Sequence, residues 1–205
     1  MNYAETPTPR PRVAVTEVGT RDGFQSEAAF IPTADKAGVI DALIGAGVTH
    51  VEATSFVSPR AVPQLADAHE VLARVARRAD AHLSALVPNP RGAERALGAG
   101  VDEMVSFVSA SETHNRANLN APIADSLANV AEVAAIARGR VPLRGAIACA
   151  FGCPFEGEVP VDAALRVVDA YAALGIDRLT LGDTTGMATP PTVARLVQAI
   201  GGRFP

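Results

Sequence analysis

Glu17-Val18-Gly19-Thr20-Arg21-Asp22-Gly23-Phe24-Gln25 brings an acid, a guanidinium, a carboxylate and an amide into one short stretch with two glycines. A carboxylate placed directly after a strand can bind a hard divalent cation, and an arginine beside it can neutralise a developing oxyanion. The same composition also suits a surface turn with an Arg–Asp pair. Two more acids stand out. Glu52 ends the apolar run Val48–Ala53, and a carboxylate facing an interior must be paired, hydrated or metal-bound. Asp183, in Leu181-Gly182-Asp183-Thr184-Thr185-Gly186, reads either as a site acid or as an Asx-type turn into the next helix.

The other reactive residue types offer less. Cys149 and Cys153 flank Ala150-Phe151-Gly152. A zinc site would need further soft ligands at suitable spacing, so these read as buried structural thiols. His50, His69, His82 and His114 form no H-x-H or H-x-x-x-H pair. Of these, only His114, after the fourth strand, is placed to face a strand-end site.

Positioning these groups requires a scaffold, and the chain alternates short β-like runs with helical patterns. The strands are expected at Val13–Val18, Val48–Ala53, His82–Val87, Val101–Val108, Leu143–Ala150 and Ile176–Leu181. The first helix is expected to start with Thr33 as N-cap, and the last with Thr189 as N-cap and Pro190 at the first helical position. This rhythm implies a parallel sheet covered by helices. Glu17, Glu52, Ser109 and Asp183 fall at or just past C-terminal strand ends, the face on which barrel enzymes collect their chemistry. No G-x-G-x-x-G follows the first strand, which argues against a dinucleotide fold. Residues 1–12, with Pro7, Pro9 and Pro11, read as a disordered leader before a single domain over 13–205.

Composition narrows the class further. The 205 residues are 48% hydrophobic and 20% charged, with a formal charge of -4, which gives no electrostatic reason to expect nucleic acid as partner. No apolar run reaches the ~18 residues of a membrane span. Two cysteines without a secretory signal point to a reducing cytoplasm.

Taken together, the segments resemble the 3-hydroxy-3-methylglutaryl-CoA (HMG-CoA) lyases, metal-dependent barrel enzymes that share an R-D-G signature. The resemblance runs in order through E-V-G-T-R-D-G-F-Q at Glu17–Gln25, E-A-T-S-F-V-S-P-R at Glu52–Arg60, V-P-Q at Val62–Gln64 and L-V-P-N at Leu86–Asn89. It continues through S-A-S-E-T-H-N at Ser109–Asn115, C-A-F-G-C-P-F-E-G at Cys149–Gly157 and L-G-D-T-T-G at Leu181–Gly186. It implies an α/β fold of the TIM-type (β/α)8 barrel, with about six βα units in this chain. It also implies retro-Claisen cleavage of a 3-hydroxy-3-methylglutaryl-CoA-type substrate to acetyl-CoA and acetoacetate.

On that resemblance Asp22 is a ligand of Mg2+ or Mn2+, and Arg21 stabilises the enolate of the leaving acetyl thioester. Glu52 and Asp183 orient these groups or help to move the hydroxyl proton, and Gln25 lines the substrate pocket. The partner is an acyl-CoA substrate, and a homo-oligomer is compatible with the family. The family draws further ligands from an H-x-H on a seventh strand and an Asn after an eighth, with a catalytic cysteine loop between them. The chain reaches Pro205 before any of these, so the expectation is a C-terminally incomplete lyase, inactive as these 205 residues. The competing expectations are a non-catalytic, partner-binding remnant of the fold and a lyase for a related longer 3-hydroxyacyl-CoA.

Overall fold

The structure is a computed structural model describing residues 13–201, 203 and 204. The expected leader over 1–12 lies outside the described residues. Six parallel strands form one sheet in sequence order: β1 (Thr16–Glu17), β2 (His50–Ser55), β3 (His82–Leu86), β4 (Glu103–Ser109), β5 (Leu143–Ala148) and β6 (Arg178–Leu181). The helices between them are α1 (Thr33–Gly45), α2 (Ala68–Arg74), α3 (Pro90–Gly98), α4 (Glu112–Leu119), α5 (Ile123–Ala137) and α6 (Val161–Ala173). The last, α7 (Pro190–Gly201), follows β6. The expected α/β class is met, with six units of a barrel wall in place.

Strand alternation divides the side chains between two faces. Val51, Ala53, Leu83, Ala85 and Met104 point outward and form one apolar cluster with Ile40 and Ile44 of α1, Val71 of α2 and Val133 of α5. Val108 and Ile147 anchor a second cluster with Val167, Val168 and Tyr171 of α6 and Leu196 of α7. The opposite face carries His50, Glu52, Ser84, Glu103, Arg144 and Thr180, whose side chains make a polar inner layer.

Several boundaries differ from the sequence expectation, each for a local reason. The first helix begins at Thr33 itself, after Pro32, because the Thr33 hydroxyl donates to Asp67 Oδ2 (2.7 Å) instead of capping its own helix. Buried Lys36 reaches the same carboxylate at 2.6 Å, so Asp67 ties the start of α1 to the start of α2. β2 runs two residues further than expected, to Ser55, because its register against β3 shifts between Glu52 and Thr54. This bulge makes Ala53 an extra residue and returns Ser55 to the inner face opposite Leu86. Glu52 is therefore inside the strand, not at its end. β5 stops at Ala148 because Cys149 adopts a left-handed conformation (φ 54°), which ends the ladder. Helix α4, not expected from sequence, is capped by the Ser111 hydroxyl, which accepts from the His114 amide at 3.1 Å. Among the described residues, no helix is long and apolar enough to cross a membrane.

Candidate active site

The chemistry-bearing stretch after β1 folds as one wide helical turn, Gly19–Gly23. The Val18 carbonyl accepts from the amides of Arg21 (3.0 Å) and Asp22 (2.8 Å). The Glu17 carboxylate accepts from the Gly19 amide at 2.6 Å, and a Cβ at Gly19 would stand 2.8 Å from that oxygen. Glycine is thus the residue that lets Glu17 fold back and brace the turn. Buried Thr20 donates its hydroxyl to the Glu52 carbonyl (3.2 Å), fixing the turn over β2.

So held, Arg21 lies between two carboxylates. Its Nε donates to Glu52 Oε1 at 2.6 Å, and its Nη1 to Asp22 Oδ1 at 2.6 Å. The Arg21 side chain is 18% exposed and that of Glu52 only 6%, whereas Asp22 is 62% exposed. A buried arginine held by one sequestered acid and one open acid is neutralised without being hidden.

The mouth opens onto a cavity of about 470 Å3 lined by Arg21, Asp22, Gln25, Ser55, Phe107 and Thr184, with Leu86, Asn118 and Leu119 completing the wall. Arg21, Asp22 and Gln25 are therefore brought together facing the strand ends, and Glu52 lies directly beneath. Asp183 is placed differently. Its Oδ1 accepts from the amides of Met187 (2.9 Å) and Ala188 (3.1 Å), four and five residues on, where an Asx turn would bond two residues on. Its neighbours Gly182 and Thr184 line the cavity, while its own carboxylate anchors the loop that carries them.

Cation binding has partial support in these side chains. Asp22 offers an open oxygen donor at the mouth, suited to one position around Mg2+ or Mn2+. Among the described residues, no three His, Cys, Asp or Glu side chains gather to hold a metal.

Beneath the mouth the inner face continues as a ladder of charges that the sequence reading did not single out. Arg144 of β5 reaches Glu103 Oε2 at 3.1 Å and Glu52 Oε2 at 3.8 Å, with Ser84 and Thr180 hydroxyls at 3.5 and 3.4 Å. Glu103 also meets Arg178 (3.3 Å) and His82 (3.7 Å). A signal was present: in Leu143-Arg144-Gly145-Ala146-Ile147-Ala148, alternation sets a lone arginine on one face of a central apolar strand, where it needs a buried partner. Ser55 was hidden by the bulge, and Asn118 and Leu119 by the unexpected α4.

The cysteine loop turns its sulfurs inward and leaves Pro154, Phe155 and Glu156 exposed. Both thiols are buried and free. Burial pushes the Cys149 thiol up from its ordinary value. Burial also acts to raise Cys153, but the Ser111 hydroxyl at 3.0 Å and the amides of Glu156 and Phe155 outweigh it and bring that thiol below its usual range. Cys153 and Gly157 exchange a pair of backbone hydrogen bonds (2.8 and 2.9 Å) that close the loop. His114 packs beside Phe155 (ring centroids 6.3 Å apart), with burial lowering its pKa, and does not line the cavity.

Known proteins show the same arrangement of segments. The chain is 41% identical to a hydroxymethylglutaryl-CoA lyase of Bacillus subtilis, over 95% of this chain and 65% of that protein. The crystal structure of the Bacillus subtilis HMG-CoA lyase superimposes with a TM-score of 0.91 at 40% identity, covering 97% of this chain and 67% of that one. An Acinetobacter baumannii HMG-CoA lyase, solved in complex with coenzyme A and 3-methylmalate, gives 0.88 at 41% identity, over 91% of this chain and 61% of that one. The chain thus spans less than two-thirds of the length of the Bacillus curated relative. The HMGL-like family model matches residues 12–205, and with the R-D-G turn seated at the strand ends the chain belongs to the HMGL-like, HMG-CoA lyase family.

Proposed function

We propose that this chain supplies the substrate-facing half of a metal-dependent carbon–carbon lyase acting on a 3-hydroxy-3-methylglutaryl-CoA-type thioester. The observation that carries the reading is the Arg21 guanidinium, held between buried Glu52 and open Asp22 and facing the cavity. In retro-Claisen cleavage the C3 hydroxyl loses its proton, C3 becomes a ketone, and the C2–C3 bond breaks. Its electron pair passes to C2 as the enolate of the acetyl thioester, which is then protonated to acetyl-CoA, leaving acetoacetate.

Arg21 meets the developing negative charge on the thioester oxygen, where a fixed cation in a partly dehydrated site lowers the barrier. Glu52 keeps the guanidinium at that angle without entering the cavity. Asp22 would hold a Mg2+ or Mn2+ ion, which supplies Lewis-acid polarisation of the substrate's oxygens when bound. Gln25 offers an amide to the acyl portion, and Asp183 orients the loop bearing Thr184. The coenzyme A in the Acinetobacter relative supports an acyl-CoA substrate.

Among the described residues Asp22 is the one carboxylate lining the cavity, so the 205 residues by themselves are expected to give no turnover. Grafting residues 13–201 into the Bacillus subtilis lyase in place of its matching segment should give a chimera that releases acetyl-CoA from HMG-CoA with Mg2+. Arg21→Met in that chimera should lose about a thousandfold in kcat. A folded chimera that is silent with HMG-CoA sinks this reading. Turnover restricted to longer 3-alkyl analogues would redirect it to a related substrate.

A further inference from the structure

Glu52 has an arginine on each side, one in hydrogen-bond contact and one as a longer ion pair. Oε1 accepts from Arg21 Nε at 2.6 Å, while Oε2 faces Arg144 Nη2 at 3.8 Å. Arg144 in turn makes its closest contact, 3.1 Å, with Glu103, an acid that already has Arg178 at 3.3 Å and His82 at 3.7 Å. The charges therefore alternate without a break from the mouth inward: Asp22, Arg21, Glu52, Arg144, Glu103, Arg178.

Arg144 is loosely held for a group so far inside. Its Nε is buried and has no hydrogen-bond partner among the described residues, and its two hydroxyl contacts, to Thr180 and Ser84, are long at 3.4 and 3.5 Å. A group placed only to stabilise the fold would be expected to satisfy its donors, since a buried unpaired donor costs about 1–3 kcal/mol. What this arrangement does achieve is to set a positive charge between two buried carboxylates, Glu52 and Glu103, and to face the Glu52 oxygen that Arg21 does not use. We propose that Arg144 is a positioning residue. Its positive charge, 3.8 Å from Glu52 Oε2, favours the carboxylate orientation in which Oε1 is aimed at Arg21 Nε and the guanidinium is aimed at the cavity. Its effect on the reaction rests on the lyase reading, but its effect on Arg21 does not.

The test uses the Arg21 Nε–H signal in 1H–15N spectra of the full 205-residue chain, assigned by its loss in Arg21→Lys. Replacing Arg144 with Met, similar in length and uncharged, should shift that signal and speed its exchange with water, with circular dichroism unchanged. Arg144→Lys should restore most of the wild-type position. If Arg144→Met does not fold, Arg144→Gln is read the same way. An unmoved Arg21 signal in a folded variant overturns the proposal, as does failure of both variants to fold, which would make Arg144 a structural group. In the active chimera Arg144→Met should lower kcat about tenfold while KM stays within about threefold, and Arg144→Lys should recover part of kcat. A silent chimera with the Arg21 signal still coupled to Arg144 rejects the lyase reading and leaves the positioning role standing.

Discussion

Along β5, neighbouring residues serve two different environments. Gly145 and Ile147 meet the helical layer, where Tyr171 of α6 lies so close that a Cβ on Gly145 would come 2.4 Å from its ring. Arg144, one residue away, faces the enclosed side and pairs with Glu103 and the hydroxyls of Thr180 and Ser84. The outer face buries aliphatic surface and the rings of Phe56 and Tyr171, which is a non-directional source of stability. The inner face buries charges whose mutual attraction is largely offset by the cost of removing them from water. Stability and site geometry are thus assigned to opposite faces of the same strands, and each can be perturbed with limited effect on the other.

The contrast predicts a graded series. Tyr171 is fully buried and donates its hydroxyl to the Ala146 carbonyl at 2.9 Å. Tyr171→Ala should cost about 3–5 kcal/mol in urea unfolding. Gly145→Ala should cost about 1–3 kcal/mol by overpacking, and the double variant should cost less than the sum, because the smaller residue 171 makes room for the new methyl. An additive double variant would mean that the outer face is less tightly packed than the approach of Tyr171 to Gly145 requires.

Asp22→Asn should change stability by less than about 0.5 kcal/mol, as expected of an exposed side chain, while weakening Mn2+ binding to the active chimera followed by electron paramagnetic resonance. A large stability loss would show that the mouth also carries folding energy. The smallest effect is expected at Glu156, whose carboxyl is held below its usual range by the Thr113 amide at 2.8 Å. A depressed carboxyl contributes stability in full above its unfolded value and loses it as pH falls through the folded one. The difference in melting temperature between wild type and Glu156→Ala should therefore be constant near neutral pH and shrink in acid.

How much of this could be read from residues alone depends on the kind of signal each feature leaves. The order of strands and helices came through because apolar periodicity is local, and the R-D-G turn because its residues are contiguous. Glu52 was recognised as a buried acid, but its depth in β2 was misjudged, since a bulge depends on pairing with β3 and leaves no mark in β2 itself. Thr33 looked like a cap until Asp67, distant in sequence, claimed its hydroxyl. Asp183 had both of its readings open, and its bonds to the amides of Met187 and Ala188 depend on how the following loop folds. Arg144 needed partners from β2 and β4, which only the assembled sheet supplies.

The extra residue at Ala53 works as a phase switch on a two-step repeat. Glu52 and Ser55 share the lumen side although an odd number of steps separates them, which an uninterrupted strand could not arrange. Were β2 ironed flat with all its residues kept, Thr54 would swing into the lumen and Ser55 into the oily layer under the helices. Excising Ala53 would do the opposite: it restores an even count and leaves both partners on the sides they already occupy. The rim of the cavity is thus set by parity, and a strand shortened by either residue between Glu52 and Ser55 should keep both of them on the lumen side.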